Sequence, residues 1–272
     1  MNLKKLKVIQ AWLKAARPMQ SLFLISPLLA GSLAVAQQPA SVFPDMEDSL
    51  AVATLLKSKQ IPCLAIGYLQ GGQPDKIRVF GELQPGQPAT ANAIFNVASV
   101  TKTITAMVTL TLVDSGSWEL DAPVSRYFTD NDVQDDARSK RLTTRHILTH
   151  QTGFPNWRSE LAGEKLAFQF KPGTKHQYSG EEFEYLRRTL ANKFNRSLSE
   201  LADSIIFKPL GMSSTGFTWK PADDRRFAYP FDAAGKQVDV VKNFQPNAAD
   251  LLKTTAGDYC RFMAWILSGG RA

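Results

Sequence analysis

Cysteine, histidine and long apolar runs are all scarce in this chain of 272 residues. Cys63, Cys260, His146, His150 and His176 are too few and too scattered for a zinc spacing, so no metal and no cofactor is expected. After residue 36 no stretch reaches the roughly 20 apolar residues of a membrane-spanning helix. No repeat recurs at solenoid or propeller spacing. The 17 Gly and 15 Pro follow no period, which excludes collagen-like and low-complexity chains. Acids are the scarcer charge, 25 against 32 Lys and Arg, for a net +7. Five of those seven surplus charges (Lys4, Lys5, Lys7, Lys14 and Arg17) lie in residues 1–36, which hold no acid. The nearly neutral remainder has no basic footprint for nucleic acid, and no such partner is expected.

The basic start is followed by an apolar run, Ser21–Leu33, and a small-x-small site, Ala34-Val35-Ala36. This reads as a secretory signal over residues 1–36, cleaved before Gln37. The domain of interest then spans residues 37–272, exported and most simply periplasmic, with no membrane span after cleavage. An uncleaved N-terminal anchor is the other reading, because Val8–Trp12 adds apolar length. Export permits a Cys63–Cys260 disulfide, but both cysteines sit in apolar patterns that read as buried, reduced thiols.

In residues 37–60 a polar lead-in precedes a helix with an apolar stripe of Leu50, Ala53, Leu55 and Leu56. Ile61–Leu69 and Lys76–Leu83 are β-prone runs around a Gly-Gly turn, a hairpin signature. Leu83–Thr90 reads as loop. The strongest helix runs from Ser99 to about Asp114 and stops at Gly116. Further helices are expected over Thr143–His150, Glu181–Phe194, Ser199–Ile206 and Thr255–Leu267, with an extended return at Gly216–Lys220. Residues 221–250 read as a structured loop, and the aromatic residues from Phe217 to Phe244 either line an acyl pocket or form core beneath it. Two strands make no stable sheet alone, so more strands are required.

Chemistry concentrates at Ser99-Val100-Thr101-Lys102, the one S-x-x-K whose serine opens the strongest helix. Lys102 returns to the Ser99 face one turn later. A serine becomes a nucleophile only when a base takes its proton, and a lysine can serve when burial favours its neutral form. The helix that follows, ITAMVTLTL, is too apolar for a surface helix and carries Lys102 towards the interior. The plain alternative is a capping serine and a solvated lysine. Tyr178, at a Pro- and Gly-rich turn before a long helix, is either a second acid/base or a tyrosine packed on a loop.

FNVASVTKTITA, WELDAPVSRYF, LTTRHILTHQTGFPNW, FKPGTKHQYSG, PLGMSSTGF and TTAGDYCRFMAWILSGG occur in this order. Together they resemble the serine β-lactamase/penicillin-binding-protein superfamily, in its class C β-lactamase-like, esterase and D-Ala-D-Ala carboxypeptidase branch. The resemblance covers about residue 50 to the end. It implies an α/β (α+β), β-lactamase/transpeptidase-like fold: an antiparallel sheet flanked by helices, with a helical subdomain. It also implies Ser99 as acylated nucleophile with its N–H as an oxyanion donor, Lys102 as base partner, Tyr178 as proton manager and His150 as a structural residue.

Two departures stand out. Gly180 replaces the usual Asn of the Tyr-x-Asn motif in the substrate-binding position, removing an amide that would contact an acylamide substrate. Glu181 or Glu182 could fill part of that space. No Lys-Thr-Gly or His-x-Gly motif follows Gly270, so the resemblance implies a fold whose last sheet strands are missing. The expected activity is a serine hydrolase working through an acyl-enzyme on small esters or peptidoglycan-like peptides, with β-lactams a further class. The alternative is a catalytically impaired relative that binds cell-wall peptide or a protein partner.

Overall fold

The computed structural model describes residues 48–270. The expected signal segment therefore lies outside the described residues. The chain divides after Ile61 into two units. The first contributes helix α1 (Ser49–Ser58), which Asp48 caps by accepting the N–H groups of Leu50 and Ala51 at 3.0 Å. Its buried side chains are Val52 and Leu56, one turn apart; Leu50 and Ala53 face solvent. The expected stripe is thus rotated, because Leu50 stands two residues from Val52 and so on the other side of a 3.6-residue turn.

In the second unit, β1 (Cys63–Gln70) and β2 (Gln73–Gln84) form an antiparallel hairpin. Its turn residues Gly71 and Gly72 both have positive φ, +58° and +78°, which a two-residue turn matching strand twist requires. The segment expected to be loop holds a third strand, β3 (Gln87–Pro88), paired with β2 across a Pro85-Gly86 turn. A two-residue strand carries no period to read, and Pro88 argued against one. The sheet order is β1-β2-β3, so the described sheet exceeds the two strands read from sequence.

A separate two-stranded ladder pairs β4 (Phe95–Asn96) with β5 (Lys253–Thr254). It lays the late chain beside the approach to Ser99, and the Val97 N–H donates to the Leu252 carbonyl at 3.0 Å. Ser99 lies on a 3₁₀ turn, Ala98–Val100, and the helix α2 proper runs Thr101–Asp114. Ile104, Val108, Leu110 and Leu112 bury its apolar length, and Gly116 (φ +74°) turns the chain away at its end.

Helix α3 (Thr144–Leu148) is capped by Thr143, and α4 (Glu181–Phe194) matches its expected span. Helix α5 (Leu198–Ala202) is shorter than expected, since a π turn at Asp203–Phe207 continues it. The extended return is limited to a bridge between Gly216 and Lys253, and a 3₁₀ turn occupies Pro221–Arg225. Phe217 joins the main core, while Trp219 and Phe227 pack with Ile94, so these aromatics are core. Helix α6 (Ala256–Leu267), capped by Thr255, lies against the sheet where Gly67 leaves room. A Cβ at Gly67 would overlap the Cys260 sulfur. Both cysteines are free thiols, and burial pushes the Cys63 thiol up to about 11. Among the described residues no helix is long and apolar enough to cross a membrane.

Candidate active site

The approach to Ser99 is held in an unusual backbone. Ala98 has φ +44°, a left-handed conformation that is costly for a residue with a Cβ. Asn96 Oδ1 accepts the Ala98 N–H at 2.8 Å, and Thr101 Oγ1 donates to the Ala98 carbonyl at 2.5 Å. These bonds lift Ser99 into solvent directly above the first turn of α2.

One turn on, Lys102 is buried, 7% exposed. Its Nζ donates to Ser99 Oγ at 3.2 Å and to the Ala249 carbonyl at 2.9 Å. The plain alternative of a solvated lysine is therefore excluded. The same ammonium lies 4.8 Å from the centroid of the Tyr178 ring, so the three residues read from sequence meet in one place. Burial acts to raise the Tyr178 phenol. Hydrogen bonds with Lys102 and Ser99, and the Lys102 charge, outweigh it and hold the phenol below the ordinary tyrosine range. Tyr178 is thus a group whose phenolate is favoured beside an exposed hydroxyl.

Around this triad stand residues that sequence reasoning left out of the site. Asp250 is half-buried near Lys102; burial raises its carboxyl, Lys102 opposes this and Glu184 adds to it. Its position depends on residues 248–252 folding back onto α2, which no local pattern announces. His150, read as structural, places its ring 4.6 Å from the Tyr178 ring, with Nδ1 in contact with the fully buried Glu182 carboxyl. The early signal was available: two acids open an amphipathic helix, and both are buried.

Gly180 is buried, and its φ of −79° makes no demand for glycine. The demand is steric. A Cβ there would stand 2.5 Å from Trp157 Cζ2 and 2.6 Å from Cη2. The indole, not Glu181 or Glu182, therefore occupies the space beside Gly180. Glu181 is turned aside into an ion pair with Arg158 at 2.6 Å, and Glu182 points to His150 and Thr152. Lacking a side chain to cap α4, Gly180 is assisted by Asn156, whose carbonyl accepts the N–H groups of Gly180 and Glu181 at 3.0 and 2.9 Å. Among the described residues no group of three His, Cys, Asp or Glu is arranged to hold a metal.

An exposed serine, a buried lysine within hydrogen-bond reach, and a tyrosine sharing both could activate the serine hydroxyl for attack on an acyl carbon. The beta-lactamase family profile matches residues 49–272. The chain belongs to the beta-lactamase family. Within that family, esterase EstB of Burkholderia gladioli is 30% identical over 175 residues, 54% of this chain and 44% of its own length. The D-alanyl-D-alanine-carboxypeptidase/endopeptidase AmpH of Escherichia coli (strain K12) is 25% identical over 224 residues, covering 75% of this chain and 57% of AmpH. The chain therefore spans about half the length of these curated relatives.

Solved structures agree on the family fold. The D-alanine carboxypeptidase AmpC of Burkholderia cenocepacia matches with a TM-score of 0.68 and 26% identity, over 80% of this chain and 63% of that one. The octameric penicillin-binding protein homologue of Pyrococcus abyssi shares the fold alone, with a TM-score of 0.69 at 20% identity over 84% and 57% of the two chains. The expected β-lactamase/transpeptidase-like class, antiparallel strands with flanking helices, is thus the class observed.

Proposed function

We propose that this family member is a serine hydrolase that works through an acyl-enzyme on ester or cell-wall-type peptide substrates. One observation carries the reading: Lys102 Nζ is buried 3.2 Å from the exposed Ser99 Oγ, with the Tyr178 ring against the same ammonium. Ser99 Oγ attacks the substrate carbonyl carbon while its proton passes to the Lys102–Tyr178 pair. The resulting oxyanion faces the Ser99 N–H at the start of α2, where the helix dipole favours negative charge. Collapse expels the alkoxide or amine, which takes the proton back from Tyr178. Water then attacks the acyl-enzyme, releasing the acid and restoring Ser99.

Gly180 and the Trp157 ring favour ester over amide, because an apolar edge stands where a side-chain amide would bind an acylamide group. The relatives named for esterase and carboxypeptidase activity are consistent with that range of acyl groups. Residues 1–36 support export to a periplasm, where peptidoglycan-like peptides would be met.

The test is intact-protein mass spectrometry of the chain incubated with a fluorophosphonate, with Ser99→Ala as control. A single adduct on the wild type that disappears in Ser99→Ala is the expected outcome. No adduct on folded wild-type protein would overturn the hydrolase reading and leave a family member that binds through the same cleft.

A further inference from the structure

Glu182 is fully buried at the start of α4, and each of its polar atoms has one defined neighbour. Its N–H donates to Ser179 Oγ at 3.1 Å, and that hydroxyl donates onward to the Pro155 carbonyl at 2.7 Å. Oε2 accepts the Thr152 hydroxyl at 2.8 Å. Thr152 Oγ1 in turn accepts the Phe154 N–H at 3.0 Å, so the hydroxyl proton is committed to Glu182. Oε1 meets His150 Nδ1 and has no hydroxyl or amide donor. Any proton on this carboxyl must therefore sit on Oε1, facing the imidazole. The imidazole is itself fixed: the Ser179 N–H points at Nδ1 from 3.3 Å, and the His150 carbonyl accepts the Gln177 N–H at 2.8 Å. Its ring packs against Tyr178 at 4.6 Å and Phe183 at 5.7 Å.

We infer that Glu182 is a positioning residue for Tyr178: one proton held between Glu182 Oε1 and His150 Nδ1 seats the imidazole against the phenol ring and sets the charge behind it. The inference rests on the acyl-enzyme reading and adds to it a group that touches no substrate. When the pair holds this proton it is neutral overall; without it the carboxylate places a negative charge behind the Tyr178 ring, on the side of Lys102. The other titratable groups facing this pair are Lys102 from α2, Tyr178, and His176, whose ring lies edge-on to His150 at 5.8 Å. Beyond them, Asp250 interacts with Lys102 and with Glu184. Burial lifts the Glu182 carboxyl to about 7, against the pull of His150, Thr152 and Lys102, so this proton is gained close to neutrality.

The experiment measures the rate of fluorophosphonate labelling at Ser99 against pH for the wild type and Glu182→Gln. Glutamine keeps the shape, accepts from Thr152 and donates to His150 Nδ1, but cannot carry the titrating proton. The wild type is expected to show an inflection near neutrality that Glu182→Gln lacks. An inflection retained in Glu182→Gln, or a loss equal at every pH, would overturn the inference and leave Glu182 as a fold-supporting residue. A wild type that is not labelled refutes the hydrolase reading instead. In that case, or if Glu182→Gln does not fold, NMR of the wild type decides. The Glu182 carboxyl ¹³C and His150 Nδ1 ¹⁵N shifts moving together near neutrality support the shared proton. A Glu182 carboxyl titrating near its ordinary value of about 4.3 overturns it.

Discussion

At Gly180 a neighbouring ring decides which residue is allowed. The backbone there is ordinary, so any L residue would fit its dihedrals, yet the Trp157 indole lies where the first side-chain carbon would go. Gly180→Ala is expected to cost about 1–3 kcal/mol, the usual penalty of overpacking, and to slow Ser99 labelling by displacing Tyr178 two residues away. Trp157→Ala combined with Gly180→Ala should recover much of that loss, read as thermal midpoint and labelling rate. Additive damage in the double variant would show that the two positions do not share the space. At this scale the sequence exposed Ser99 and Lys102, because S-x-x-K on an apolar helix is a local pattern. It did not expose Trp157, which stands 23 positions from Gly180 with no periodic relation to it.

Among the elements, the contact of α6 with the sheet depends on the absence of one side chain. Gly67 lies in β1 opposite Ile77, and Cys260 of α6 presents its sulfur to that gap. Gly67→Ala is expected to lower stability by about 1–3 kcal/mol through overlap with the sulfur. Cys260→Ala in the same chain should restore part of it, as measured by chemical denaturation. If Gly67→Ala leaves the denaturation midpoint unchanged, α6 is not seated there. Helices α2, α4 and α6 were legible because each combines a long apolar face with a definite stop or cap. Strands β3, β4 and β5 were not, since two residues cannot display alternation and their pairing partners lie in other parts of the chain. The shortened α5 has a similar cause: the apolar pattern runs on through the π turn, so the sequence shows continuity where the hydrogen bonds change register.

Over the whole molecule, residues 248–252 bind the start of α2 to the later part of the described fold. Thr105 Oγ1 donates to the Ala248 carbonyl at 3.0 Å, Lys102 to the Ala249 carbonyl, and the Leu252 N–H donates to Thr101 Oγ1 at 2.9 Å. With β4 and β5 paired alongside, this segment and α2 should open together rather than separately. Native-state hydrogen exchange is expected to place the Leu252 and Val97 amides with the slowest amides of α2. Fast exchange at Leu252 beside a protected α2 would contradict that coupling. Sequence alone determined the hairpin, the three long helices and the Ser99–Lys102 pair, because each follows from spacing along a few consecutive turns. Only the tertiary structure decided that Tyr178 joins that pair, that Trp157 takes the space at Gly180, and that Glu182 and His150 stand behind the phenol. Those choices depend on contacts between residues far apart in the chain, where burial and donor–acceptor matching, rather than local periodicity, select the partner.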